Sequence, residues 1–328
     1  MRRLLPALAA LTLGCALFAA ALAVPSAASA QVIVPQAQGD AAIAHMQQAT
    51  AGAERVTALL LKVSTDPAYA NARSPEEMRV AIAAMRGDIA ASRREISTIV
   101  ARLNALPRIA SESDPVELRL VDRVVSDIAT FSSDVDELLG TVEGLGDALE
   151  AGDQARIERL ANTLVRGSVA VVEAQSLMLR ARLPMMPSDS SNFAQVTSLA
   201  CFYEGFAEFQ RGAFGIVRRE AAGAGMERAV ACMTGENTRG AAAIEREVGI
   251  DHGEPRLNAM RDGLAPIHRS MVKEMEGAAV LLGEARRALL RGDDLEALMK
   301  FGERTTAFEQ RYQALVGREV DVVDRQGR

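Results

Sequence analysis

The sequence predicts an all-α protein: long antiparallel helices packed along heptad seams, arranged as two tandem four-helix bundles behind a cleaved signal peptide. Three observations predict it. Apolar residues recur at alternating steps of three and four. Aromatic residues make up 4% of the chain and tryptophan is absent, so Ala, Leu, Val, Ile and Met must build the core. The breaks between periodic stretches carry helix-cap residues. Small and aliphatic side chains suit helices that approach closely. A strand would need period two, and no long stretch shows it.

The first thirty residues read as a secretory leader. Arg2 and Arg3 supply positive charge, Leu4 to Val24 is an uncharged apolar run, and Pro25 breaks any helix. Ala28-Ser29-Ala30 then gives the small-x-small pattern that precedes cleavage, here before Gln31. The apolar run is long enough to span a bilayer, but Pro25 and the small residues after it favour removal. Cys15 follows Leu13-Gly14 in the manner of a lipoprotein site, yet apolar sequence continues beyond it, where a lipoprotein would turn polar. Cleavage after Ala30 would place the mature chain in the periplasm or medium of a bacterium, with no transmembrane segment left. Residues 31–38 form a short extension.

From residue 39 the periodicity takes over. Met78, Ile82, Met85, Ile89, Ser92, Ile96, Ile99, Leu103 and Leu106 follow the three-four alternation with one polar exception. Val121, Val124, Ile128, Phe131, Val135, Leu138, Val142, Leu145 and Leu149 follow it with none, and Leu298, Phe301, Thr305, Phe308, Tyr312 and Leu315 repeat it. Such a period keeps one seam turned toward a partner helix. Ser74-Pro75-Glu76-Glu77 combines a cap, a proline at the first helical position and acids in the first turn. Asp114-Pro115 and Glu254-Pro255 open two more helices, and Gly152-Asp153 and Gly292-Asp293 each end one helix and start the next. Helices are therefore expected near 39–65, 75–106, 115–151, 153–182, 190–213, 216–248, 255–291 and 293–318. The domain organisation follows: a first bundle at 39–182, a linker at 183–189 around Pro184-Met185-Met186-Pro187, a second bundle at 190–318, and a charged, frayed tail at 319–328. The Asp/Glu-Pro starts and the Ala-Leu-x-x-Gly-Asp corners both recur at a spacing of 140 residues, which is compatible with an internal duplication or with two unrelated hairpins.

Composition excludes some classes of function. The net charge is −6, more negative once Arg2 and Arg3 are removed, and no basic stripe is concentrated enough for nucleic acid or anionic lipid. Cys201 and Cys232 are the only cysteines after the leader. An even count in an oxidising compartment favours a disulfide. A turn near Gly212–Gly215 would put the two at matching height on an antiparallel helix pair, whereas a turn at Gly223–Gly225 would leave them out of register. His268, Met271 and Met275 share one helix face and carry the donor types that hold copper. The same three positions fall on an apolar seam, where Met fills core space and a His is satisfied by a neighbouring helix. Asp251-His252-Gly253-Glu254 reads as a turn and cap, Asp134 and Asp136 as a solvated helix face, and His45 has no assigned role.

The motif screen for enzymes finds no H-E-x-x-H, G-x-S-x-G, Walker A loop, G-x-G-x-x-G, C-x-x-C-H or E-x-x-H. No catalytic residue and no cofactor is assigned, and the reading leans away from an enzyme without closing the question. Two functional expectations remain. The first is an interaction or scaffold module of the bacterial envelope whose partner is another envelope protein. The alternative is a periplasmic binder of a small molecule or a copper ion, with its site between helices.

Overall fold

The computed structural model describes residues 36–327, apart from 65, 67, 69–71, 73 and 294. The leader with its cleavage point after Ala30, Cys15, and residues 31–35 of the extension lie outside the described residues. The structure is 87% helix, with eight helices and no strand among the described residues, so the chain is all-α. The helices are α1 (Gln36–Ser64), α2 (Pro75–Asn104), α3 (Val116–Ala151), α4 (Gln154–Arg182), α5 (Ser191–Ala213), α6 (Arg219–Val248), α7 (Pro255–Arg291) and α8 (Leu295–Gly327). No helix among the described residues is long and apolar enough to cross a membrane.

Local chemistry sets the helix ends. The Ser74 hydroxyl accepts from the Glu77 amide at 3.2 Å, with Pro75 opening the first turn of α2. Gly152 and Gly292 both adopt left-handed backbone, φ 66° and 81°, at the ends of α3 and α7. The next amide in each case, Asp153 or Asp293, donates back to the carbonyl of Ala148 or Ala288, at 3.0 and 3.1 Å. Both corners are therefore Schellman-type caps, in which glycine is required because a Cβ disfavours this backbone.

The chain divides into two compact units, each described by itself. One holds the described residues up to Ala174 together with Ala213–Val217; the other holds Gln175–Gly212 and the residues from Arg218 onward.

In the first unit the apolar rows of α2 and α3 are buried as their spacing requires, from Met78 to Leu103 and from Val121 to Leu145. Leu106 lies beyond the end of α2 at Asn104. Ion pairs flank the buried rows and fix which turns face each other. Arg55 with Glu95 and Lys62 with Asp88 join α1 to α2, while Arg93 reaches both Asp136 and Glu143 on α3. These pairs are largely exposed and worth little each, about 0–1 kcal/mol. Burial of the apolar rows supplies the stability, at about 25 cal/mol per Å².

The second unit is organised around α5, which is buried around most of its circumference, Ser191 to Gly212. The last turns of α4, and α6, α7 and α8, each touch it. Phe202, Phe206 and Phe209 meet Phe308 and Phe301 of α8, with ring centroids 4.7–5.7 Å apart. Gly205 lets α6 and α7 approach together: a Cβ there would stand 2.8 Å from the Ala229 Cβ and 2.3 Å from Leu282 Cδ2.

One expectation needs correction. Residues 319–327 are not a frayed tail but the continuation of α8. Glu319 is buried and bonded to His268, and Val322 packs against α7 at Gly263, so the chain gains by staying helical there.

Candidate functional site

Cys201 of α5 and Cys232 of α6 form a disulfide, with Cα atoms 6.2 Å apart. The turn lies between Ala213 and Arg219, with Gly215 at φ 70°, so the two helices run antiparallel with both cysteines at one height. Gly223 and Gly225 are instead inside α6, on its buried side. The Arg180 guanidinium, held by Glu204, reaches Cys201 Sγ at 3.5 Å.

His268 occupies a polar node in the second unit. Its Nδ1 lies 3.2 Å from Ser191 Oγ at the start of α5, and its Nε2 lies 3.2 Å from Glu319 Oε1 on α8. Glu247, near the end of α6, accepts from both the Ser191 amide and its hydroxyl at 2.8 Å. A carboxylate on the amino end of α5 is favourable to the helix dipole. The single Ser191 hydroxyl proton goes to Glu247, so His268 Nδ1–H is the donor to Ser191, and Nε2 lies within hydrogen-bond distance of Glu319. The residue types match a Ser-His-acid triad. However, Ser191, His268 and Glu319 are 2%, 5% and 4% exposed, and the serine proton is committed to Glu247. The node therefore ties four helix segments together, and the serine is not poised for attack.

Met271 and Met275 continue the His268 face and are fully buried. A copper ion on His268 would have to displace one of its two hydrogen bonds. Among the described residues no group of three or more His, Cys, Asp or Glu side chains could hold a metal ion. Nearby, burial pushes the Glu309 carboxyl well above the usual carboxylate range, and burial together with the Glu319 carboxylate raises the Tyr312 phenol.

A groove of about 390 Å³ opens on the outer side of α6 and α7, lined among others by Val230, Thr234, Thr238, Glu276, Val280 and Arg287. Asn237 lies in its floor. Its amide oxygen accepts from Ser198 at 2.8 Å, while its nitrogen, fully buried, has no partner among the described residues. Such a group costs about 1–3 kcal/mol if left unpaired. Small, uncharged exposed positions on the two helices are Ala231, Thr234, Gly235 and Thr238 on α6 and Gly277 on α7, with Val280 at 61% exposure, while Glu276 and Arg287 bring two exposed charges to the groove.

No protein-family model matches the chain, and neither does any curated protein sequence or solved structure.

Sequence reasoning brought forward Cys201, Cys232, His268, Met271 and Met275, and the structure places the first two together and the other three on one buried face. It missed Ser191, Glu247, Glu319, Asn237 and Glu309. Glu319 had a signal: it continues the three-four alternation of 301, 305, 308, 312 and 315 by one step, and an acid on a seam position requires a partner. Asn237 similarly stands in a buried row of α6 between Met233 and Gly240.

Proposed function

We propose that the chain is a non-enzymatic interaction or scaffold module of the bacterial envelope, exported to the periplasm after removal of residues 1–30. In this reading the two units are tandem four-helix bundles held along heptad seams, and a helical face of the second recognises an envelope protein. The observation that carries it is the α6–α7 groove, where exposed Ala, Gly, Thr and Val positions lie beside only two exposed lining charges, Glu276 and Arg287. The same groove supports a second reading, a small molecule held between the two helices.

Affinity purification from the native envelope after cross-linking, with wild type and Thr234→Arg side by side, tests both. Mass spectrometry should find a protein enriched with wild type and lost with the variant. A stoichiometric small molecule lost in the variant, with no protein, would replace the first reading by the second. An unchanged set of companions would remove the groove from both.

A further inference from the structure

The outward stripe of α7 is self-complementary, and from it we propose that the protein pairs with a second copy of itself through antiparallel α7 helices. This inference uses the same α6–α7 surface as the scaffold reading and gives it a second copy of the chain as occupant, and charge reversal on α7 read by sedimentation tests it apart from capture of an envelope protein.

Glu276, Val280, Gly283 and Arg287 follow one another at steps of four, three and four, so they line one face of α7. Glu276, Val280 and Arg287 are exposed and Gly283 is half-buried. Among the described residues neither Glu276 nor Arg287 has an ion pair, while the acids and bases beside them are already engaged, Glu284 with Arg304, Glu274 with Arg311 and Arg286 with Glu227. The midpoint of 276 and 287 coincides with that of 280 and 283, between Leu281 and Leu282. A two-fold axis there, as closed pairs of identical chains use, sets Glu276 against the partner's Arg287 and Val280 against the partner's Gly283. Both matches arise from one register and each occurs twice. The valine supplies the projection and the glycine the space once the partner's Glu276 draws off the Arg287 guanidinium, whose Nη1 lies 3.8 Å from where a Gly283 Cβ would stand.

The groove adds an independent sign. Asn237 lines it, with a buried amide nitrogen that has no hydrogen-bond partner among the described residues. The flat, small surface of Ala231, Thr234, Gly235 and Thr238 on α6 lets the second α7 lie over both helices, as an interface of standard size requires.

The test is sedimentation of the full-length protein across a concentration series, for wild type, Glu276→Arg, Arg287→Glu and the variant carrying both changes. Wild type should form dimers below about 100 μM, a range expected of a modest symmetric interface. Each single reversal faces like charges across the axis twice and should weaken the dimer about 10-fold or more. The double reversal restores both pairs and should return the dissociation constant to within about 3-fold of wild type. Gly283→Leu, with helicity checked by circular dichroism, should abolish the dimer by filling the space the valine needs. A wild-type monomer throughout the series would overturn the proposal. A dimer indifferent to the single reversals, or a double reversal no better than either single one, would equally overturn it.

Discussion

Breaking the Cys201–Cys232 bond opens a link across 31 residues that ties α5 to α6. A cross-link of that span removes loop-closure entropy from the unfolded chain worth about 3–4 kcal/mol. For a unit of this size, 1 kcal/mol moves the melting temperature by about 2–4 °C, so reduction should lower it by about 10 °C. Cys201→Ala with Cys232→Ala should lower it slightly more. Cys201 is fully buried, and trimming its sulfur leaves unfilled space beside Arg180. The assay is thermal melting by circular dichroism with and without a thiol-free reductant, backed by non-reducing peptide mapping. A shift under about 3 °C, with the bond shown to be open, would refute the loop argument. Free thiols in oxidised material would refute the pairing itself.

Three further outcomes are expected. Gly205→Ala should destabilise the protein by about 1–3 kcal/mol, because the added carbon meets Ala229 and Leu282 at once; an unchanged melting temperature would show that the three helices are not so close. Glu309→Gln should raise stability at pH 7 and flatten its pH dependence. The folded carboxyl is raised above its unfolded value, so its contribution is full below about pH 4.5 and is lost as pH rises through the folded value. Wild type should therefore gain more than the variant on going from neutral to mildly acid conditions, and parallel melting curves across pH would contradict this. Titration with copper under native mass spectrometry should give no stoichiometric complex, since both His268 nitrogens are engaged; tight binding lost in His268→Ala would revive the metal-site reading.

The all-α class was legible because apolar spacing is a local property. The rows in α2 and α3 could be read residue by residue, and the cap signals at Ser74, Gly152 and Gly292 fell within a few residues of the true ends. The disulfide was legible for a related reason: one turn position makes the two cysteines level. The polar node was only half legible. His268 stands on a seam and so had to find partners, but Ser191 and Glu319 lie 77 and 51 residues away in sequence and meet it only when α5, α7 and α8 pack. The charge of 319–328 reads as a solvated tail, although Val320, Val322 and Val323 give the segment apolar residues to bury. The α6–α7 groove was hidden because Ala, Gly and Thr suit a tight core and an empty surface equally well.

The enclosure of α5 also imposes an order of events on the newly made chain. Phe202, Phe206 and Phe209 are among its largest fully enclosed side chains, and part of their cover comes from Phe301 and Phe308, a hundred residues later. The α5–α6 hairpin can assemble from neighbours in sequence, so its sulfur link can close early. The aromatic row then stays bare until α8 arrives. A chain interrupted before residue 301 would carry that row exposed, a surface prone to clump with its own kind. Truncations that remove α8 should therefore be recovered as aggregates or degradation products, and prompt delivery of the last helix becomes the step on which the yield of the protein turns.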